Sequence, residues 1–165
     1  MKHFFFVLLG CSFAVTVAQA QIDHRLAPEV LHNDGIIMAE VLRPFLKTAA
    51  QRVNLPDWKI LRTTIVTRFD DTYADRNVTK AKIYYYYNRD WTQFCKAIVQ
   101  YTQSYEYRDS LPLMNTNAKM ILEYSTNPDD WKAAQSWVKY ATEKDPANLA
   151  YKITCDALTA KINGK

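Results

Sequence analysis

A chain of 165 residues has room for one domain, and its 21 lysines and arginines against 17 acids leave a net charge of only +4. The basic residues are scattered (Arg43, Lys47, Arg52, Lys59, Arg62, Lys80, Lys82) and form no block, which argues against a nucleic-acid footprint. With three glycines in all, the sequence also holds no Gly-rich phosphate loop.

The first twenty residues read as a signal peptide. Lys2 is a minimal positive region, Phe4 to Val17 is largely apolar, and Ala18-Gln19-Ala20 fits the small-x-small rule, so cleavage is expected between Ala20 and Gln21. The apolar run is too short for a membrane span, which needs about 20 residues. A rival exists in Leu8-Leu9-Gly10-Cys11, which resembles a bacterial lipoprotein box; there a lipidated Cys11 would hold the chain at a membrane. Soluble export is the favoured fate. Cleavage removes Lys2 and no acid, lowering the net charge from +4 to +3, and it leaves two cysteines, Cys95 and Cys155. Each sits on an apolar helical face, so two small buried hydrophobes are expected. Export also permits a disulfide, whose formation depends on a distance that sequence does not give.

Residues 21–33 are polar without a sustained period and read as an arm or short helix, with Asp34-Gly35 able to cap the next helix. From Met38 through Val41, Leu42, Phe45, Leu46 and Ala49 to Val53 runs a helical stripe interrupted by Pro44, which predicts a kink or two abutting helices. Asn54-Leu55-Pro56 stops it. Asp57-Trp58 opens the next stripe, with Leu61, Ile65 and Phe69; the β-branched run Thr63–Thr67 favours a strand taken alone, but the flanking period is helical. A helix is expected over 74–87, ending at Asn88-Arg89. Asp90-Trp91 then leads Phe94, Ala97, Ile98, Tyr101 and Tyr105, until Asp109–Pro112 breaks the run. Three further helices carry Met114, Ala118, Ile121 and Leu122; Ala134, Trp137, Val138 and Ala141; and Ala150, Ile153, Thr154, Ala157 and Leu158.

Asp-Trp recurs at 57–58, 90–91 and 130–131, spacings of 33 and 40 residues. Superimposing the tryptophans brings Leu61, Phe94 and Ala134 into one column and Ile65, Ile98 and Val138 into another. Each Asp is placed to cap a helix amino terminus, and each Trp, at the first helical position, to pack on the preceding helix. Two-helix units of this length are the mark of repeats that bury their apolar faces by stacking on neighbours. The expected fold is all-α: about six or seven helices over residues 34–165, in antiparallel hairpins stacked as a short right-handed array.

The run from Asp130-Trp131 through Asp145-Pro146-Ala147-Asn148 to Leu158 resembles a tetratricopeptide repeat. Ala134 and Ala141 match its two small close-contact positions and Pro146 its terminal proline, while Leu122 stands where the family carries Gly. A narrower resemblance rests on Asn88-Arg89-Asp90-Trp91-x-x-Phe94, Asn115/Asn117-Ala118, Trp137, and Asp145-Pro146 followed by Ala150-Tyr151 and Thr154. This order is similar to the helical region attached to exported thioredoxin-like proteins of some bacteria. The thioredoxin domain and its Cys-x-x-Cys are absent here. Redox activity therefore does not carry over, and what the resemblance implies is a helical fold, export and an accessory or scaffolding role.

The candidate chemistry is sparse. His24 and His32 are too few for a metal site, and no Ser or Cys is placed by a motif with a histidine base. Asp70-Asp71 and Asp129-Asp130 fall in links, where capping explains them. Asn77-Val78-Thr79 is a glycosylation sequon without meaning in a bacterial setting. The informative oddity is Tyr84-Tyr85-Tyr86-Tyr87. Four consecutive residues wrap a full helical turn, so Tyr84 and Tyr87 share one side while Tyr85 and Tyr86 face elsewhere.

Such tyrosines suit packing between helices or, where a pair is exposed, anchoring a partner; Tyr101, Tyr105 and Tyr107 would extend that surface. The resulting expectation is a non-enzymatic interaction module with no cofactor, no metal and no nucleic acid, binding a protein or peptide. Self-association through the last helix is a further expectation, because Ala157, Leu158 and Ile162 lack an obvious cover unless the N-terminal segment supplies it. The alternative is an accessory partner of a thioredoxin-like or other envelope enzyme that uses Cys95 or Cys155 as a thiol.

Overall fold

The helical stripes become helices in a computed structural model of the chain, which describes residues 28–51, 55–105 and 110–164. Among these residues there is no strand, and the protein is all-α. Residues 1–20 with Cys11, and His24, Val53, Asn54 and Tyr107, lie outside the described residues.

The first rod is longer than its sequence pattern predicts. Helix α1 (Pro28–Ile37) passes through a π-helical segment at Met38–Leu42 into α2 (Arg43–Ala50) with the backbone staying in the right-handed helical region. Asp34 and Gly35 thus lie inside a helix and cap nothing. Pro44 does not break the rod, because the widened turn before it lets Arg43 N–H reach the Met38 carbonyl five residues back and makes room for the proline ring.

Helix α3 (Trp58–Arg68) is capped by Asp57, whose carboxylate accepts from the amides of Lys59 and Ile60. Its β-branched run stays helical, with Thr64 and Thr67 returning their hydroxyls to carbonyls four residues back. Helix α4 (Asp71–Tyr86) is capped by Asp70, and the amide of Thr72 holds that carboxyl below its usual range. The helix ends because Asn88 turns left-handed, at φ 58°, a conformation Asn adopts more readily than most residues. Helix α5 (Trp91–Ser104) is capped by Asp90 through the amide of Gln93. Then come α6 (Leu111–Tyr124), α7 (Pro128–Lys144) and α8 (Leu149–Asn163).

The third Asp-Trp departs from the other two. Asn127 caps α7, accepting from Asp129 N–H, and Pro128 fills the first helical position, where a missing N–H costs nothing. Asp130 therefore lies inside the first turn, accepting from Ser125 Oγ at 2.6 Å, and Trp131 sits a turn deeper than Trp58 and Trp91 do in their helices. The aligned columns nevertheless agree in phase: Leu61, Phe94, Ala134, Ile65, Ile98 and Val138 are all buried.

From α3 onward consecutive helices pack on one another, and α6 also meets α8 while α5 meets α7. One core, around Ile37, Leu42, Leu61, Ile65 and Ala81, joins the first rod to α3 and α4. A larger one, around Phe94, Ile98, Ile121, Trp131, Val138 and Leu158, joins α5 to α8. Each fully buried aliphatic or aromatic residue of this kind contributes roughly 1.5–3 kcal/mol. Ala134 and Ala141 are fully buried between helices, and Pro146 is exposed in the α7–α8 turn.

Helix α8 requires a correction. Its inward residues are Tyr151, Thr154 and Leu158, so Leu158 is covered by α6 and α7, Ala157 and Ile162 are half-buried, and Ile153 faces out. The N-terminal rod is not what covers this end. Asn77, the sequon asparagine, is fully buried and donates to Asp34 Oδ1, so no glycan transferase could reach it in the folded chain.

Candidate binding groove

Three helices each direct one face into a common groove of about 630 Å³. Lys80, Ile83, Tyr84 and Tyr87, spaced i, i+3, i+4 and i+7, form one wall from α4 and the residue after it. Phe94, Ile98 and Tyr101 form the floor from α5, and all three are buried. Leu113, Thr116, Asn117 and Met120, again at helical spacing, form the opposite wall from α6. The span from Lys80 to Tyr87 is about 10 Å at the helical rise, two turns of wall.

The four tyrosines divide as their helical positions require. Tyr84 and Tyr87 line the groove, 53% and 45% exposed. Tyr85 and Tyr86 turn to the other side, where Tyr85 meets Trp58 edge-on at 5.6 Å and Tyr86 lies 6.0 Å from it. Arg89 stacks over Tyr85 at 4.9 Å and fixes it there. Tyr101 belongs to the groove floor. Tyr105, one turn on, packs on Tyr101 at 5.8 Å but stays outside the groove, and burial raises its pKa. Trp91 stabilises the Tyr87 end: its ring lies edge-on to Tyr87 at 5.6 Å and stacks flat on Tyr124 at 3.9 Å.

The groove is apolar with few polar groups. Asn117 Nδ2 donates to Thr102 Oγ1 and Thr116 Oγ1 to the Pro112 carbonyl, so both are held by the fold. Lys80 has no ion-pair partner among the described residues. The rest of the lining is aliphatic and aromatic. Sequence reasoning missed the α6 wall. Its signal was the stripe Leu113, Thr116, Asn117, Met120, offset by one residue from the buried stripe Met114, Ala118, Ile121, but only the packing shows that the half-polar stripe faces α4.

The thiols lie elsewhere. Cys95 is buried in the α5–α8 core, Cys155 packs half-buried against that core, and both are free. Burial, reinforced by the charge of Asp130, pushes the Cys95 thiol up to about 11. Relative to an unperturbed thiol, that lowers its thiolate fraction at pH 8 by roughly a hundredfold. Native protein at pH 8 is therefore expected to alkylate at Cys155 well before Cys95, with both reacting in denaturant and Cys95 quickening as the pH approaches 11. Mass-resolved labelling checks this; equal native rates would contradict it. His32 is exposed, and no group of three metal-ligating side chains occurs among the described residues.

No protein-family model matches the chain, and neither a characterised protein nor a solved structure is significantly similar to it.

Proposed function

We propose that this chain is a non-enzymatic interaction module whose α4–α5–α6 groove receives an apolar segment of a protein or peptide. The observation that carries this reading is the exposure of Tyr84, Tyr87 and Leu113 on the rim of a concave apolar surface. Half-exposed tyrosines on the rim of an apolar groove suit anchoring, because tyrosine covers much area at small entropic cost. The two-turn length of the walls fits the i, i+3/i+4, i+7 anchors of one face of a short amphipathic helix. In this reading the helices form a tetratricopeptide-like array, the leader is removed between Ala20 and Gln21, and the module works in the bacterial periplasm.

The test begins with residues 21–165 used to capture partners from envelope extract, each candidate then being purified and rebound. Tyr84→Ala/Tyr87→Ala is expected to keep its far-ultraviolet circular dichroism and to weaken a genuine partner at least tenfold, two anchor residues being removed. A partner bound equally by wild type and by the folded variant would move the site away from the groove.

The second reading, an accessory to a thioredoxin-like envelope enzyme, rests on Cys155. Cys95 is poorly suited to it, since a buried thiol with a raised pKa is a weak nucleophile.

A further inference from the structure

A second surface stands apart from the groove. The side of α8 opposite Tyr151, Thr154 and Leu158 carries Leu149, 70% exposed, and Ile153, 66% exposed, one turn apart. Half-buried Ala157 and exposed Ala160 continue the stripe at helical spacing, small enough to let another helix approach. One edge of this face carries Lys152 and Asp156, four residues apart and both exposed. Neither takes part in an ion pair among the described residues, although the spacing would allow them to pair with each other.

That pattern is self-complementary. When two copies of a helix pack antiparallel about a twofold axis, each edge meets the same edge of the other copy. With the axis crossing α8 near the level of Thr154, Lys152 faces Asp156 of the partner subunit, and the reciprocal pair forms by symmetry. In a parallel pair unlike edges would meet and this match would be lost. We propose that α8 forms the interface of a symmetric antiparallel homodimer, with Leu149 and Ile153 packed across the axis and the Lys152–Asp156 pairs fixing its direction. Apolar burial supplies the affinity. Exposed charge pairs contribute little of it and mainly set orientation.

The test is sedimentation analysis of the mature chain from low micromolar to near-millimolar concentration. The wild type is expected to show a reversible monomer–dimer equilibrium. Ile153→Glu is expected to be monomeric throughout, with unchanged helicity because the position is exposed. Lys152→Asp and Asp156→Lys, each turning two attractive pairs repulsive, are expected to weaken the dimer about tenfold. Mixing these two single variants restores complementarity, so a heterodimer of near wild-type affinity should form. The proposal is overturned by a wild type that stays monomeric, by a dimer unaffected by Ile153→Glu, or by a mixture no tighter than its components. A monomer whose Ile153 is protected from hydroxyl-radical labelling also overturns it, and assigns the face to another segment of the same chain.

Discussion

Trp131→Ala is expected to lower the unfolding free energy by about 3–5 kcal/mol, as buried Trp-to-Ala changes generally do. Trp131 is only 5% exposed and lies among Ala134, Trp137, Val138 and Leu158 in the larger core. Its indole Nε1 donates to the Ser125 carbonyl at 2.9 Å, just beyond the end of α6, and the Lys161 ammonium of α8 lies 4.7 Å over its ring. Lys161 also donates to the Leu122 carbonyl at the end of α6. One side chain therefore ties three helices, and its removal leaves a cavity, an unpaired buried carbonyl and a displaced cation. Trp131→Phe keeps most of the ring while deleting the N–H, and is expected to recover more than half of the loss. Trp58 is only half-buried, at the margin of the smaller core, and packs on Phe45, Tyr85 and Tyr86, so Trp58→Ala should cost less than half as much. Urea unfolding followed by circular dichroism measures all three. Equal losses at 58 and 131 would mean that the two Asp-Trp pairs are structurally equivalent after all.

That inequality marks how far the sequence can be read. Dipeptide recurrence and stripe phase are local properties, and they locate the helices and the inward columns Leu61/Phe94/Ala134 and Ile65/Ile98/Val138. Capping at Asp57 and Asp90 is legible for the same reason, since a cap depends only on the next three residues. At Asp130 the same dipeptide misleads, because Asn127-Pro128 upstream is the stronger helix start and moves the boundary by three residues. Pro44 does mark an interruption, yet whether a helix breaks or widens depends on its neighbours; here Val41 and Leu42 are held in the core and keep the rod continuous.

The phase of α8 is ambiguous in sequence because Ala150, Ile153 and Ala157 and the true inner set Tyr151, Thr154 and Leu158 fit the helical period equally well. Only packing against α6 and α7 separates them. The tyrosine division at 84–87 comes from helix geometry, whereas the α6 wall of the groove needs the tertiary fold. A buried polar joint has no sequence signal at all, because its partners lie 42 and 43 residues apart.

That joint carries the second large effect. Asp34 on α1 receives Arg76 Nη2 at 2.6 Å and Asn77 Nδ2 at 2.8 Å from α4, and all three side chains are buried. Tyr73 reinforces it, accepting from Asn33 Nδ2 and lying 5.8 Å from the Arg76 guanidinium. Asp34→Ala strands a buried cation and is expected to cost about 3–5 kcal/mol; Arg76→Ala, leaving the carboxylate with Asn77 alone, should cost a similar amount. The double change Asp34→Leu/Arg76→Met removes both charges at comparable volume and is expected to restore most of the loss, since a well-packed apolar pair often equals a buried ion pair. The non-additivity is the diagnostic quantity. Hydrogen exchange separates local from global effects: in Asp34→Ala the amides of residues 28–50 should exchange faster than those of α6 to α8, because this joint fastens the first rod to α4 and touches nothing in the larger core. Losses at 34 and 76 that simply add in the double variant would show that the two side chains are independently useful and that the rod is held by its apolar face alone.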